Sequence, residues 1–256
     1  MGEIMDNTYN LLAIIPARYA SSRFPGKPLA DICGKPMIWW VYNQVKKVQC
    51  FDDVVVATDS EIIVDECKKF GIKTIKTSDK HTTHINRLQE VSKYISSDLY
   101  VCVCGDEPLI DSKTIEAVIP KKEEVTSDFY IGALMRTFSD PSEVIDPANI
   151  KITTNNEGFC VGLSRSPIPF PYKTIQFKYK KIVGVECYSK AALDFFSTTM
   201  PGCVEKIEDI TLLRFLEHKI PIKFKLVETN ALSVDTTRDL EKVCEIIKQR
   251  GEYEEN

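Results

Sequence analysis

The sequence has no long hydrophobic run, since none of its apolar stretches approaches 18 residues. A membrane-spanning helix needs about 20 apolar residues, so we expect no membrane span. Excess positive charge is also missing: the net charge is -4 at pH 7, whereas proteins that bind nucleic acid generally present a basic surface. Residues 1–10 lack the basic start and apolar core of a signal peptide. We therefore predict a cytoplasmic protein whose partners include neither a membrane nor a nucleic acid.

The sequence also lacks the paired cysteines of a disulfide-bonded secreted domain. Its nine cysteines are odd in number and scattered, and most of them lie within apolar runs. Such thiols are typical of a reducing cytoplasm. Cys102 and Cys104 are close enough to suggest a zinc site, but no second cysteine pair or Cys/His cluster follows at zinc-finger spacing. We therefore favour buried strand cysteines over metal ligands.

Short apolar runs alternate with helical patterns over the first 120 residues. Strands are predicted at Leu11–Ile15, Val54–Ala57 and Leu99–Cys104, and helices at Met37–Val48, Ser60–Phe70 and Ile85–Ile95. Such continuous apolar strands need cover on both faces, as in a parallel sheet between helices. The predicted fold is therefore α/β, with a doubly wound and mostly parallel sheet.

The pattern changes between about residues 130 and 190, where short strand-like pieces are separated by turn residues. These pieces are Tyr130–Phe138, Lys151–Thr154, Phe159–Leu163 and Ile182–Tyr188. We predict a smaller, irregular, β-rich subregion there. A helix over Glu208–Glu217, a strand over Ile222–Val227 and a helix from Thr237 are expected to complete a single domain spanning residues 1–256.

The segment after the first predicted strand carries three cations, Arg18, Arg23 and Lys27, within ten residues. It contains neither the G-x-x-x-x-G-K-[S/T] nor the G-x-G-x-x-G motif. Ligands of open α/β sheets bind at the carboxyl ends of strands, and clustered cations beside free backbone amides suit a polyphosphate. The simpler alternative is a solvated basic turn without a ligand.

The stretch from Ile14 to Ile38, which includes this loop, resembles the signature of CMP-Kdo synthetases. These are cytidylyltransferases that activate 3-deoxy-manno-octulosonate (Kdo) for lipopolysaccharide. The resemblance recurs at Ala57–Asp59, Gly105–Ile110, Ser164–Phe170 and Val234–Leu240, so it covers essentially the full chain. It implies a nucleotide-diphospho-sugar transferase-like fold, CTP as the donor, and a homodimer whose interface involves residues 130–190. Nothing in the residues alone distinguishes CTP from UTP.

The resemblance also assigns residues to the nucleotide. They are Ala17, Arg18, Ser22, Arg23, Lys27 and Arg87. Nucleotidyl transfer requires positioning and neutralisation of negative charge more than covalent help from the protein. Arg18, Lys27 and Asp106 are accordingly the predicted catalytic residues.

Two aspartates are candidate Mg²⁺ ligands. Asp106 follows the third predicted strand, and Asp235 lies at a strand-to-helix junction. Mg²⁺ prefers hard oxygen ligands and takes few of them from the protein. The alternative role for Asp235 is that of a helix N-cap. The resemblance favours a metal role for both aspartates, whereas Glu107 is expected to stabilise its loop.

The acceptor side departs from the family pattern. Cys104 replaces a glutamine, Ile182 and Glu186 replace a histidine and a tyrosine, and Thr211 and Leu212 replace a glutamate and a glutamine. We assign these five residues to the acceptor site, together with Arg165 in the motif that begins at Ser164. Ser-Gly-Thr-Asp-Arg is replaced by Thr83–Arg87, where His84 is either a ligand contact or plain polar surface.

These departures predict an altered acceptor, because losing hydrogen-bond partners weakens recognition strongly. We expect CMP transfer to a small acidic acceptor bearing a phosphate or phosphonate, other than Kdo. A carboxylate at Glu186 would favour an amine on that acceptor, unless the side chain faces solvent. The alternatives are an authentic CMP-Kdo synthetase with a divergent pocket and a catalytically silent nucleotide-binding scaffold.

Overall fold

The computed structural model describes residues 9–20, 24–174 and 176–251. Its strands are β1 (Leu11–Ala17), β2 (Asp31–Ile32), β3 (Lys35–Pro36), β4 (Asp53–Thr58), β5 (Thr74–Lys76), β6 (Leu99–Val103), β7 (Ile131–Thr137), β8 (Lys151–Thr154), β9 (Cys160–Ser164), β10 (Lys180–Ser189) and β11 (Lys223–Leu226). Its α-helices are α1 (Met37–Lys46), α2 (Glu61–Lys69), α3 (His84–Tyr94), α4 (Ser112–Glu116), α5 (Lys190–Thr198), α6 (Cys203–Glu208), α7 (Leu213–Glu217) and α8 (Thr237–Arg250). Short 3-10 helices lie at Lys27–Leu29, Lys122–Glu124 and Pro141–Val144.

The main sheet has the strand order β11-β7-β10-β6-β1-β4-β5. β1 pairs in parallel with β4 and β6, β4 pairs in parallel with β5, and β11 pairs in parallel with β7. β10 lies between β6 and β7 and is antiparallel to both. This mostly parallel α/β sheet confirms the predicted fold class.

Both faces of the sheet are covered by helices, as the apolar strands required. Side chains alternate along β1, so that Leu11 and Ala13 join one core and Leu12 joins the other. Helix α1 covers the first face, and α3 covers the second face. A smaller third core places α8 against β2. Loops therefore approach the strand ends from two sides of the sheet, the side covered by α1 and the side covered by α3.

The predicted helix over Glu208–Glu217 is wrong. Helix α6 ends at Glu208, because Asp209 adopts a left-handed conformation with φ 50°. A turn follows, and α7 begins only at Leu213. The sequence pattern also missed the helices α4 and α5.

The strands of the β-rich subregion all belong to the main sheet, which has nine strands. β7 and β10 lie within its linear order, β8 pairs with β10, and β9 pairs with β8. Among the residues that the structure describes, none of the helices combines the length and the apolar character required to cross a membrane.

Candidate functional site

The adjacent strands β1 and β6 end at the same edge of the sheet, and the predicted nucleotide loop begins there. Ala17 is the last residue of β1 and is buried, while Arg18 follows it and is exposed. A Cβ atom added to Gly105 would lie 3.0 Å from the carbonyl oxygen of Pro16. Glycine at this position therefore lets the segment after β6 lie directly against the start of the loop.

Lys27 joins the two predicted metal ligands at this edge. Its Nζ lies 2.6 Å from Asp106 Oδ2 and 3.2 Å from Asp235 Oδ1. Burial lowers the pKa of Lys27, but the charges of Asp106 and Asp235 outweigh that effect and raise it. The ammonium group therefore stays charged between two carboxylates, and three residues predicted from the sequence meet at one point.

The segment containing Asp235 is held against the end of β6 by backbone contact. The Val234 N–H donates to the carbonyl oxygen of Asp106 at 2.8 Å. The N-cap of α8 is Thr236, which forms a capping box with Asp239. The alternative role of Asp235 as an N-cap is therefore wrong, and its carboxylate points to Lys27 instead.

Glu107 connects three segments beneath this cluster. Its Oε1 accepts hydrogen bonds from the Gly184 N–H at 2.8 Å and from Ser233 Oγ at 3.1 Å. Burial and the charge of Asp106 raise the pKa of Glu107 to about 7. A Cβ at Gly184 would lie 2.6 Å from Glu107 Oε1, so glycine is needed there. No sequence pattern had indicated a role for Ser233.

Arg87, another predicted nucleotide residue, pairs with groups other than Lys27 and its two carboxylates. Ser22 and Arg23 fall outside the described residues. Arg87 is buried, and its guanidinium donates to Asp59 Oδ2 at 2.8 Å and to Thr77 Oγ1. Arg87 therefore braces the loops that follow β4 and β5, a role that the resemblance did not suggest.

Glu186 is buried and does not face solvent. Its Oε2 accepts hydrogen bonds from His84 Nε2 at 2.8 Å and from Tyr188 Oη at 2.7 Å. Burial lowers the pKa of His84, but the Glu186 carboxylate outweighs it, and the pKa rises to about 9. The pKa of Glu186 is lowered in turn, because the charge of His84 more than offsets its burial. The negative charge that we expected to attract an amine is thus neutralised within the protein.

The remaining acceptor candidates are dispersed. Cys104 lies between β6 and Asp106, and its N–H donates to the Gly184 carbonyl oxygen at 2.8 Å. Ile182 and Leu212 pack in the second core, and Thr211 is half-buried in the turn before α7. Arg165 donates to the carbonyl oxygens of Pro147, Glu208 and Asp209. Of the six residues, Cys104 directly follows β6, and Glu186 pairs with Cys102 within β6.

Comparison with known proteins shows similarity over nearly the whole chain. A family model described as cytidylyltransferase matches residues 12–249. A 3-deoxy-manno-octulosonate cytidylyltransferase of Geotalea daltonii is 39% identical and covers 94% of this chain and 99% of its own length. An 8-amino-3,8-dideoxy-manno-octulosonate cytidylyltransferase of a Shewanella species is 36% identical, over 92% of this chain and 97% of the relative.

A solved structure shows the same similarity in three dimensions. It is that of a CMP:2-keto-3-deoxy-manno-octonic acid synthetase in complex with CTP. The two chains superpose with a TM-score of 0.86 at 33% identity, over 94% of this chain and 99% of the other.

Proposed function

This chain belongs to the cytidylyltransferase family, and we propose from this premise that it transfers CMP from CTP to 3-deoxy-manno-octulosonate or a close derivative of that acid. The relatives favour this acceptor, which the sequence analysis kept as an alternative, over a phosphate or phosphonate. One of the relatives is named for the 8-amino derivative, so both forms of the acid are candidates.

The observation that carries this proposal is the meeting of Lys27, Asp106 and Asp235 at the carboxyl ends of β1 and β6. In the proposed reaction, an acceptor oxygen attacks the α-phosphorus of CTP and loses its proton. The bond from that phosphorus to the bridging oxygen of the β-phosphate breaks, and pyrophosphate leaves. Arg18 and Lys27 bind the triphosphate and neutralise its charge.

Mg²⁺ is the proposed cofactor, and the residues present fit it. Two carboxylates from distant parts of the chain already converge on one cation, the Lys27 ammonium. Asp106 and Asp235 would hold the metal through hard oxygen ligands, leaving its other positions to water and phosphate. When bound, the metal would neutralise phosphate charge during transfer.

We also propose a homodimer that uses the β-rich subregion. Large apolar side chains are exposed on the segment between β9 and β10, where Phe170 is 79% and Tyr172 is 88% exposed. Exposed apolar groups close together are typical of protein interfaces. Light scattering of the wild type and of Tyr172→Asp tests this, and a monomeric wild type would contradict it.

The cytoplasm is the proposed location. All nine cysteines are among the described residues, and each carries a free thiol. Free thiols persist in reducing compartments. Cell fractionation with an antibody against the protein tests the location.

The test of function is pyrophosphate release from CTP and UTP with Mg²⁺, using 3-deoxy-manno-octulosonate, its 8-amino derivative and a phosphonate as acceptors. We expect release with CTP and one of the two octulosonates, and removal of metal by chelation should stop it. Asp106→Asn should lower kcat by about 100-fold or more, because charge stabilisation is lost. The exposed Asp31→Asn is the matched control.

Two outcomes would contradict the proposal. Turnover of the phosphonate alone would return the acceptor to the class first predicted from the sequence. Binding of CTP without turnover of any acceptor would instead support a silent scaffold.

A further inference from the structure

A hydrogen-bonded chain of three side chains lies along β6 on the second face of the sheet. Glu186 and Tyr188 belong to β10, and His84 is the first residue of α3. Glu186 accepts hydrogen bonds from both of the other two. This chain joins a helix terminus to the sheet and is not used by the reaction described above.

His84 reaches the strand ends from the side opposite to Lys27. Helix α3 packs on the second core, whereas Leu29, two residues after Lys27, packs on the first core. The His84 ring lies within 4.8 Å of the Cys102 sulfur, and Cys102 is the next-to-last residue of β6. Lys27, which is bonded to Asp106, and His84, which lies beside Cys102, are therefore both near the carboxyl end of β6, on the sides of the first and second cores respectively.

The imidazole has a nitrogen available to a ligand. Its Nε2 donates to Glu186, whereas its Nδ1 makes no hydrogen bond within the described part of the chain. The side chain of His84 is 28% exposed, compared with 9% for that of Glu186. A charged donor therefore faces outward, and its counter-ion is held inside.

The N-terminus of α3 adds partial positive charge beside His84. Thr83 caps the helix by accepting from the Asn86 N–H, and His84 follows in the first turn. The N-terminus of an 11-residue helix carries partial positive charge. An imidazolium at that position favours an anion in front of it.

We propose that the His84 imidazolium, held by Glu186 and Tyr188, binds the acidic group of the acceptor on the face of the sheet opposite Lys27. This inference rests on the proposed function and adds a specificity-determining residue to it. Glu186 is then a positioning residue that acts through His84. The acceptor recognised in this way is an anion, not an amine that contacts Glu186.

The kinetic test compares His84→Gln with His81→Gln. His81 pairs with Glu90 at a distance from Asp106 and is the matched control. We expect His84→Gln to raise the KM for the acceptor about 10- to 100-fold, as loss of a charge-assisted hydrogen bond does, with the KM for CTP within about twofold. An unchanged acceptor KM, or an equal rise for both substrates, would overturn the inference.

Glu186→Gln supplies a second test through the pH profile. Glu186 on β10 and Cys102 on β6 lie within 4.8 Å of His84, Tyr188 on β10 donates to Glu186, and the charge of Asp106 also acts on the imidazole. In the wild type, the acceptor KM should stay low until the pH nears 9. In Glu186→Gln it should rise from about pH 6.5, where an unpaired histidine titrates. A wild-type profile that already rises near pH 6.5 would overturn the inference.

NMR of the wild-type imidazoles keeps the inference testable if a variant fails to fold or if no acceptor is turned over. His84 is assigned by its absence from the His84→Gln spectrum, and it should remain protonated at pH 8. Titration of His84 near pH 6.5 would overturn the inference. Failure of turnover alone would contradict the proposed function, and calorimetry with free 3-deoxy-manno-octulosonate would then compare binding to the wild type and to His84→Gln.

A bound metal is the competing outcome. His84, Cys102 and Glu186 offer ligand atoms that all lie within 4.8 Å of one another. Zinc on His84 would occupy the nitrogen that otherwise carries the proton. Stoichiometric zinc in the purified protein that is lost in His84→Gln would therefore overturn the imidazolium. Metal-free protein with the expected NMR titration supports it.

Discussion

The ammonium group of Lys27 is the side-chain feature on which the proposed metal site depends. It is partly buried and shared by Asp106 and Asp235. Two carboxylates so close together repel each other unless a cation lies between them. Lys27 therefore supplies that cation, and the same geometry makes it a competitor of any divalent ion.

Lys27→Met should affect catalysis and metal binding in opposite directions. We expect kcat/KM to fall about 100-fold, because the triphosphate loses a fixed charge. Binding of Mn²⁺ in the absence of nucleotide should become tighter, because the competing ammonium is gone. Steady-state kinetics and Mn²⁺ paramagnetic resonance measure the two effects, with the exposed Lys46→Met as the control. Weaker Mn²⁺ binding in Lys27→Met would contradict the shared site.

The location of a single side chain was predictable from the sequence where its position after a strand determined that location. Asp106 follows a buried strand, so its location at the sheet edge was predictable. The partner of Glu186 was not, because His84 lies 102 residues away and only the docking of α3 brings the two together. Arg87 was assigned to the nucleotide, but burial directs its guanidinium to Asp59.

Helix capping is decided at the scale of single elements, and α2 and α3 differ in it. Thr83 caps α3 through its side chain, which accepts from the Asn86 N–H. Ser60 occupies the corresponding position of α2 but makes no side-chain capping bond. Serine is a common N-cap residue, yet residue type alone does not fix the rotamer that forms the bond.

Thr83→Ala and Ser60→Ala form a matched pair of variants. The first should lower the free energy of unfolding by about 1 kcal/mol, because an N-cap bond is lost. The second should change it by less than about 0.5 kcal/mol. Urea unfolding followed by circular dichroism measures both, and equal losses would show that the capping bond contributes nothing.

A buried ion pair joins α6 to α7 across the turn that the sequence pattern missed. Arg214 donates to both carboxylate oxygens of Glu205, at 2.6 and 2.7 Å. Each of these buried charges is stabilised by its partner. The ion pair therefore holds α6 and α7 side by side as two separate helices. The apolar pattern of 208–217 carries no sign of this pairing.

Replacing one member of the ion pair should lower the free energy of unfolding more than replacing both members. Arg214→Leu leaves the Glu205 carboxylate buried without its cation, at a cost of about 3 to 5 kcal/mol. The double variant Arg214→Leu with Glu205→Leu should lose far less. Thermal and urea unfolding of the two variants test this, and additive losses on adding Glu205→Leu would contradict it.

At the scale of the whole molecule, the buried thiols link stability to pH. Burial raises the pKa of Cys67 from 9.0 to about 11, and it raises that of Cys187 further still. The folded protein therefore keeps these protons at a pH where the unfolded chain releases them. Stability is fully present below pH 9 and is lost as the pH rises through the folded values.

Above pH 9, we expect each such thiol to lower the free energy of unfolding by about 1.4 kcal/mol per pH unit. Urea unfolding at pH 8, 9 and 10 under reducing conditions measures it. Cys67→Val removes one thiol and should make the decline shallower by about that amount. An identical slope in the variant would show that Cys67 does not contribute.

The parallel part of the sheet was predictable because β1, β4 and β6 are apolar on both faces and alternate with helices. The antiparallel insertion of β10 between β6 and β7 was not. Its sequence is ordinary for a strand, and its neighbours lie far away along the chain. The contact between Glu186 and His84 depends on that insertion, which explains why it could not be predicted from the sequence.

The order in which the chain is synthesised determines when the proposed metal site can form. Lys27 meets Asp106 across 79 residues but meets Asp235 only across 208. A nascent chain that has emerged from the ribosome as far as β6 already holds the first carboxylate. It lacks the second until the junction before α8 emerges. A chain released early is therefore left without the complete carboxylate pair, so truncated products should not consume the cell's CTP.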